Sequence, residues 1–274
     1  MATWLYALLP AGSSAPPASL PGVGGAGVRV LHAGIADAWV SDAPAEPVAR
    51  DVAAVRAHDA VVQAALATGA TPVPARFGQR FDSDAACVAA LARESSRIAA
   101  LLARVAGMVE MSVVAHVRPA DASESGQPGS GVAGAGRAAD AGGPPPHSIS
   151  DPAGQNAAPG ARAEEPSGAT SGTGRAYLER RKAELALEQN LQRQASALRA
   201  RVAAALQPLP RDEAVRYAPP PAATLTLAHL IARDAVDRYR SALAGLEADP
   251  DAPALAIVGP MAPYRFAELP DAGI

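Results

Sequence analysis

Short apolar blocks occupy the first part of the chain and predict strands. Residues 3–9 (TWLYALL) form a β-type run that ends before a proline, and residues 28–32 and 37–41 have the pattern of paired strands. Residues 71–77 (TPVPARF) are extended and interrupted by prolines, as at a sheet edge, and residues 108–117 alternate between two faces. The first 118 residues therefore predict five strands.

Two helices are predicted between these strands. Apolar residues recur at helical spacing in both, with Val48, Val52, Val55, Val62 and Leu66 in the first and Val88, Leu91, Ile98, Leu102 and Val105 in the second. Gly69 has the position of a C-cap glycine, and Ser83 can cap the second helix, which ends at Gly107. The order β-β-β-α-β-α-β predicts an α+β sandwich with its helices on one face of a mainly antiparallel sheet.

Residues 119–174 interrupt this pattern. They contain no Leu, Met, Phe, Tyr or Trp, and Val132 and Ile149 are their only large aliphatic residues. Such a segment buries too little apolar surface to offset an ordering entropy of about 1–2 kcal/mol per residue. We therefore predict a disordered linker at 119–174 that joins two domains, residues 1–118 and residues 175–274.

The second predicted domain begins with a long helix over 175–206. Its apolar stripe consists of Tyr177, Leu178, Leu185, Leu187, Leu191, Leu198, Val202 and Leu206. Strand-like runs follow at 214–217, 223–231 and 254–258, with a helix near 233–247 before the last of them. This order predicts a C-terminal α+β domain with a coiled-coil-like helical arm.

The composition narrows the class of protein. The chain has 274 residues, a formal net charge of −3 and a single cysteine, Cys87. This charge argues against a generic nucleic-acid binder, and one cysteine excludes a disulfide framework and a cysteine-rich zinc site. The sequence has no apolar stretch of about 18 residues and no basic region of a secretory signal at its start. We expect a cytoplasmic protein without nucleic-acid or membrane partners.

The sequence lacks the common motifs of catalysis and of metal or cofactor binding. Its histidines form no H-x-x-x-H or H-E-x-x-H pair; they are His32, His58, His116, His147 and His229. The glycine-rich stretch at 21–30 precedes a strand, whereas a dinucleotide-binding loop joins a strand to a helix. We therefore predict no catalytic residue, no metal, no cofactor and no enzymatic activity.

Two segments combine proline with the rare aromatic residues of this chain. Residues 72–81 (PVPARFGQRF) place Arg76 and Phe77 on a constrained turn, and residues 259–266 (GPMAPYRF) directly follow a predicted strand. Prolines fix an extended backbone, so such a segment can cross a sheet or a domain junction with a small loss of entropy. Two interpretations stay open, a tail that packs on its own domain and a surface that binds a partner.

These two segments resemble signatures of the gas vesicle protein F/L (GvpF/GvpL) family. The run PARFGQRF at 74–81 is similar to the central signature of that family, and GPMAPYRF at 259–266 is similar to its C-terminal hallmark. Three further elements resemble the family at compatible spacing, AHD at 57–59, VEM at 109–111 and GRAYL at 174–178. The resemblance covers both predicted domains but not the linker.

The resemblance marks thirteen positions as signature residues and candidate partner contacts. They are His58, Pro74, Arg76, Phe77, Gly78, Glu110, Tyr177, Leu178, Gly259, Pro260, Pro263, Tyr264 and Phe266. Met261 and Ala262 depart from the family pattern, which has Trp and Pro there. If the Trp of the family fills a pocket, Met261 fills it less rigidly, because a methionine side chain is more flexible.

The resemblance also implies a fold and a function. It implies two α+β domains, of which the N-terminal one is ferredoxin-like and the C-terminal one carries a helical arm. It implies a non-enzymatic assembly factor of gas vesicles, or a minor component of their shell. Such a protein contacts the hydrophobic main shell protein (GvpA type) and other accessory gas vesicle proteins during vesicle nucleation and growth.

Two other functions compete with this interpretation. The predicted order of strands and helices is also compatible with a ferredoxin-like ligand-binding or oxidoreductase domain, an argument that rests on fold analogy. The predicted helix at 175–206 has seven basic and three acidic residues, which favours a nucleic-acid-associated coiled coil. However, Tyr177 is the only aromatic residue between 175 and 206 that could stack on a base.

Overall fold

The computed structural model describes residues 1–44, 46, 48, 50–119, 171–247 and 253–269, and the side chains of 171–173 and 247 are not described. The predicted linker at 119–174 lies almost entirely outside these residues. Met1–Pro119 and Glu188–Ile274 belong to one compact unit, and Ala120–Leu187 belong to a second. This grouping differs from the predicted domains 1–118 and 175–274, because it unites most of both in one body.

The described part of the chain forms nine strands and five α-helices. The strands are β1 (Thr3–Pro10), β2 (Arg29–Ala33), β3 (Ala36–Asp42), β4 (Val73–Pro74), β5 (Arg80–Phe81), β6 (Met108–His116), β7 (Pro210–Ala218), β8 (Thr224–Ala232) and β9 (Leu255–Met261). The helices are α1 (Val52–Ala67), α2 (Asp84–Arg93), α3 (Ser95–Val105), α4 (Ser171–Leu206) and α5 (Val236–Glu247). Short 3₁₀ turns lie at Val23–Gly25 and Arg233–Ala235.

The first sheet is antiparallel and has the strand order β2-β3-β1-β4, with β5 also pairing with β1. The register of β1 shifts between Leu5 and Ala7. Leu5 and Leu8 consequently pack with α2 and α3, whereas Trp4 and Tyr6 pack with α1 on the opposite face. The prediction that helices cover one face of this sheet is therefore wrong, since both faces are covered.

The predicted second helix is divided in two. Ser83 caps α2 as expected, because its hydroxyl accepts a hydrogen bond from the backbone N–H of Ala86. Helix α2 ends at Arg93 with Glu94 as its C-cap, and α3 begins at Ser95. The buried side chains of α3 are Ile98, Leu102 and Val105. The apolar stripe thus continues from α2 to α3 across an interruption of the helix. The spacing of the apolar residues does not reveal this interruption.

The second sheet is also antiparallel and has the order β7-β8-β6-β9. Along the chain its elements follow as β6-α4-β7-β8-α5-β9. This β-α-β-β-α-β sequence is that of the ferredoxin-like motif. The expectation of a ferredoxin-like N-terminal domain is therefore not met by the first sheet, and β6, predicted to belong to that sheet, lies in the second.

Only part of the apolar stripe of α4 is buried. Leu191, Leu198, Val202 and Leu206 pack on the helix-facing side of the second sheet, together with residues of α5 such as Tyr239. The preceding turns of α4, from Gly174 to Gln189, are exposed. The C-terminal part of the predicted stripe is therefore packed, and Tyr177, Leu178, Leu185 and Leu187 of the same stripe are exposed.

Arg233 joins the second sheet to the end of α1. Its guanidinium donates hydrogen bonds to the backbone oxygens of Leu66 (3.2 Å) and Ala70 (3.1 Å). Its backbone N–H donates to the oxygen of Gly107 at 3.0 Å. Because the last carbonyls of a helix lack partners within the helix and carry partial negative charge, a guanidinium at this place both caps and stabilises α1.

We expect Arg233→Ala to lower the free energy of unfolding by about 1–3 kcal/mol, because two half-buried carbonyl groups lose a charged donor. Urea unfolding followed by circular dichroism measures this change. Arg238→Ala is the matched control, since Arg238 is exposed on the neighbouring helix α5. Equal effects of the two substitutions would contradict the role assigned to Arg233.

Candidate functional site

The segment 262–269, which we call the C-terminal strap, crosses from the second sheet onto the first. Ala262 belongs to the apolar cluster between β1 and α1. Phe266 packs in a small cluster with Met108 and Leu230, on the face of the second sheet that is turned away from α4 and α5. Ala267 and Leu269 then join the cluster between β1 and the helices α2 and α3. Eight residues thereby contact three separate apolar clusters.

Polar contacts fix the direction of the strap. The Tyr264 hydroxyl donates a hydrogen bond to Asp59 of α1 (3.0 Å). The backbone N–H of Arg265 donates to Glu110 Oε2 at 3.0 Å, and the Nε of the same arginine lies 3.6 Å from Glu110 Oε1. Glu110 is buried on β6, so the strap supplies a donor and a positive charge to a carboxylate that is otherwise removed from solvent.

Burial and the positive charge of Arg265 shift the pKa of Glu110 in opposite directions. Removal from water raises the pKa of its carboxyl group, and the hydrogen bond and charge of Arg265 lower it in part. Burial is also the main cause of a raised pKa for the Tyr264 hydroxyl, to which the charges of Asp59 and Glu110 contribute. A raised pKa keeps Tyr264 protonated, so its hydroxyl remains a hydrogen-bond donor toward Asp59.

Beside the strap, His58 lies in a buried aromatic cluster between β1 and α1. Trp4 donates its indole N–H to His58 Nδ1 (3.2 Å), so the neutral imidazole carries its proton on Nε2 and donates to the carbonyl of Ala75 (3.2 Å). The ring centroid of Phe77 lies 5.3 Å from that of Trp4 and 5.8 Å from that of His58. Both ring nitrogens of His58 are therefore engaged in holding the loop after β4 against β1.

Gly259 allows β9 to pass close to β6 just before the strap begins. Its φ angle is +122°, a value that disfavours any residue with a side chain. A Cβ atom at this position would lie 2.8 Å from the carbonyl oxygen of Glu110 and 2.8 Å from the sulfur of Met111. A glycine is consequently required for the β6–β9 register that aims the strap at Glu110.

The structure brings most of the signature residues together at this junction. Those that are buried or partly buried there are His58, Pro74, Phe77, Glu110, Gly259, Pro263, Tyr264 and Phe266. Arg76, Gly78 and Pro260 are exposed beside them, and Arg76 lies 3.5 Å from Glu268 of the strap. Tyr177 and Leu178 are not part of this group, since they lie exposed on α4 in the other compact unit.

The C-terminal segment packs within the chain, but not on its own predicted domain alone, because it also contacts β1 and the helices of residues 1–118. Met261, expected to fill a pocket in place of Trp, is partly buried at the end of β9, whereas Ala262 is fully buried. The sequence did not predict the pairing of Trp4 with His58 or of Tyr264 with Asp59. These partners are separated by 54 and 205 positions along the chain, and no local motif links them.

A second buried histidine lies between the second sheet and α5. His229 Nδ1 is 2.7 Å from the hydroxyl of Tyr239, and its Nε2 is 3.7 Å from Glu213 Oε1. Glu213 is bound in turn by the guanidinium of Arg199 on α4 (2.6 Å). His229 and Tyr239 are almost fully buried, so their contact attaches α5 to the sheet, and the pair of Arg199 and Glu213 attaches α4.

No group of three or more metal-binding side chains occurs among the residues whose placement is described. Within the same part of the chain, no helix is long and apolar enough to cross a membrane. Burial raises the pKa of the Cys87 thiol to about 12, so the single cysteine is not a thiolate at neutral pH.

We expect Phe266→Ala to lower the free energy of unfolding by about 3–5 kcal/mol, because it empties the cluster through which the strap contacts the second sheet. Urea unfolding monitored by tryptophan fluorescence measures this loss. Glu268→Ala is the control on the same strap, since Glu268 is exposed and is expected to change stability by less than about 0.5 kcal/mol. A loss below about 1 kcal/mol for Phe266→Ala would show that the strap does not hold the sheets.

Both buried histidines are expected to make the protein less stable in acid. Burial lowers the pKa of His58 and of His229, and their acidic neighbours Asp59 and Glu213 oppose this only in part. Below the pKa of about 6.5 of an unfolded chain, the unfolded state therefore binds more protons, and the free energy of unfolding falls as the pH decreases.

Urea unfolding between about pH 5 and about pH 7.5 tests this dependence. His58→Gln and His229→Gln should each flatten the decrease toward acid, whatever their effect at neutral pH. Trp4→Phe, which removes the donor to His58 Nδ1 but keeps the histidine, should lower stability and preserve a decrease toward acid. An unchanged pH dependence in both histidine variants would refute the assignment.

Comparison with known proteins agrees with this architecture. The structure is similar to the crystal structure of gas vesicle protein GvpF from Anabaena sp. PCC7120, with a TM-score of 0.68, 15% sequence identity, and coverage of 98% of this chain and 96% of that one. It is also similar to that of GvpF from Microcystis aeruginosa, with a TM-score of 0.66, 13% identity, and coverage of 98% and 99%. At such identities the likeness shows the fold alone.

Sequence comparison gives the family. No functionally curated protein matches the sequence significantly. The model of the family described as "Gas vesicle synthesis protein GvpL/GvpF" matches residues 2–268, which includes the strap up to Glu268 and every signature residue identified in the sequence. The chain therefore belongs to the GvpL/GvpF family of gas vesicle synthesis proteins.

Proposed function

We propose that this protein is a non-enzymatic assembly factor of gas vesicles that binds the hydrophobic main shell protein during vesicle nucleation and growth. The observation that carries this proposal is the family model, which matches 2–268 and so covers both sheets and the strap. The family is one of gas vesicle synthesis proteins and not an enzyme family. A shell subunit that is insoluble alone needs a partner that covers its apolar surface before polymerisation.

The exposed half of α4 supports such a partner role. Its large apolar side chains remain open to solvent, with exposed fractions of 60% for Tyr177, 67% for Leu178, 43% for Leu185 and 44% for Leu187. Leu178 and Leu185 are seven residues apart and lie on one face of the helix. Clustered exposed apolar residues on a folded protein mark interaction sites more often than isolated ones do.

Charged pairs keep this half of the helix compatible with water. Arg175 pairs with Glu179 at 3.0 Å and Arg181 pairs with Glu184 at 3.2 Å, each within one helical turn. Such pairs stabilise the helical conformation by only a few tenths of a kcal/mol. They help to keep the exposed helix hydrated, but they do not cover its apolar side chains as a bound partner would. We assign Tyr177 and Leu178, the signature residues of this segment, to direct contact with the shell protein.

The signature residues at the junction act differently in this proposal. His58, Phe77, Glu110 and Tyr264 are engaged in contacts within the protein, and we infer that they hold the two sheets in a fixed arrangement for partner binding. Arg76, exposed beside the strap, is the candidate for direct contact there. Other accessory gas vesicle proteins are further partners, and membrane and nucleic acid are not.

We place this activity in the cytoplasm, with two fates after assembly. The protein either leaves the growing vesicle or stays as a minor component of the shell. Mass spectrometry of purified vesicles before and after urea stripping distinguishes these fates, because a protein adsorbed on the surface is removed by urea and an integral shell component is retained.

Co-expression of the tagged full-length protein with the main shell protein tests the proposed function. The wild type should retain the shell protein on affinity resin, and the double variant Tyr177→Ser, Leu178→Ser should retain at least about five times less, since two exposed apolar contacts of about 1 kcal/mol each are lost. The melting temperature should not change. Lys182→Gln, an exposed substitution on the same helix, is the control and should bind like the wild type.

Two results together would contradict the proposal. They are a wild-type protein that retains no gas vesicle protein under these conditions and normal vesicles in a strain that lacks the gene. A shell protein that binds the wild type and the double variant equally would leave the function intact and exclude the α4 residues as its contact.

A further inference from the structure

Strand β9 forms one edge of the second sheet. It pairs with β6 on one side, and among the described residues no other strand pairs with its outer side. Along an edge strand, alternate backbone N–H and C=O groups point away from the sheet and lack strand partners. Such groups can bind an additional strand from another chain.

Among the described edge strands of more than two residues, which are β2, β7 and β9, β9 alone carries no charged residue. The edge strand β7 carries Arg211, Asp212, Glu213 and Arg216, and in the first sheet β2 carries Arg29 and β5 carries Arg80. Charged side chains are the usual protection of an edge against unwanted pairing. The seven residues of β9, LAIVGPM, include no charged residue, and its only protective feature is Pro260 near the C-terminal end.

The side chains of β9 present an apolar row on the face turned away from α5. Ala256, Val258 and Pro260 are exposed, and Val258 exposes 46% of its surface. Leu255 and Ile257 point to the other face, where they pack against the cluster of α4 and α5. The exposed row is therefore supported from behind by the sheet core, which holds it in an extended conformation.

Arg240 limits how much of this edge is open. Its guanidinium donates to the carbonyl oxygen of Gly259 at 2.8 Å. The next residue is a proline, which has no backbone N–H to offer. The accessible part of the edge is thus residues 255–258, long enough for a short extended segment and uncharged throughout.

We propose that residues 255–258 of β9 bind an extended apolar segment of the main shell protein as an additional strand of the second sheet. This inference rests on the proposed function and adds a second contact to that of α4. Backbone hydrogen bonds align the two strands, and the uncharged row of Ala256 and Val258 favours apolar over charged side chains on the added strand. A charged segment would lose hydration there without gaining a partner.

The chain provides a matched pair of variants for the test. Val258 of β9 exposes 46% and Val215 of the opposite edge strand β7 exposes 44% of its surface. Val258→Lys places a charge on the proposed binding edge, and Val215→Lys places the same charge on an edge that is already charged. Each full-length variant is co-expressed with the main shell protein and compared with the wild type for the amount of shell protein retained.

We expect Val258→Lys to retain at least about five times less shell protein than the wild type, and Val215→Lys to retain as much as the wild type. If Val258→Lys lowers the melting temperature strongly, Ala256→Lys on the same exposed row replaces it and should show the same loss. Light scattering of the protein alone shows whether the edge instead pairs two copies of this chain.

The outcomes separate the two proposals. Binding to the wild type with equal binding to all three lysine variants would overturn strand addition at β9 and leave the proposed function intact. A wild-type dimer that Val258→Lys dissociates would also overturn it, because the edge would then be occupied by a second copy. Failure of the wild type itself to retain the shell protein would count against the proposed function.

Discussion

The buried carboxylate of Glu110 is the constraint on which the arrangement of this protein depends. It is buried on β6, and the strap supplies the N–H and the guanidinium of Arg265 to it. Burying this group without those donors would cost several kcal/mol. The glycine at 259 lets β9 approach β6, so the chain leaves the second sheet at the one place from which the strap reaches Glu110.

From this anchor the strap extends over both sheets and links their cores. Phe266 fills a cluster on the second sheet, and Leu269 ends in the cluster of α2 and α3. Arg233 makes a parallel link from the second sheet to the end of α1. Most signature residues, which look like a recognition motif in the sequence, therefore make contacts at the junction of the two sheets. The exposed apolar side chains lie elsewhere, on α4 and β9. We infer that the junction holds the two sheets, and with them the edge strand β9, in a fixed arrangement.

Local patterns predicted the elements that depend on neighbouring residues. The strands around Trp4 and Trp39, the helix that ends before Gly69 and the Ser83 cap agree with the structure within a few residues. Features set by distant residues were missed. The register shift in β1 and the coverage of both faces of the first sheet leave no trace in the spacing, and β6 pairs with strands more than 100 positions away. The periodic apolar stripe of α4 likewise does not show which turns of the helix are buried against the second sheet. At the junction, the family resemblance identified His58 and Tyr264, but their partners follow only from the fold.

Hydrogen–deuterium exchange of the full-length protein, alone and with the co-purified main shell protein, shows whether the strap is an internal element of the fold. We expect the strap at 262–269 to be protected in both states, because its contacts lie within the protein. Protection should increase on binding at 255–258 and in the exposed half of α4. A strap that exchanges freely in the unbound protein and becomes protected only with the shell protein would refute its role as an internal junction.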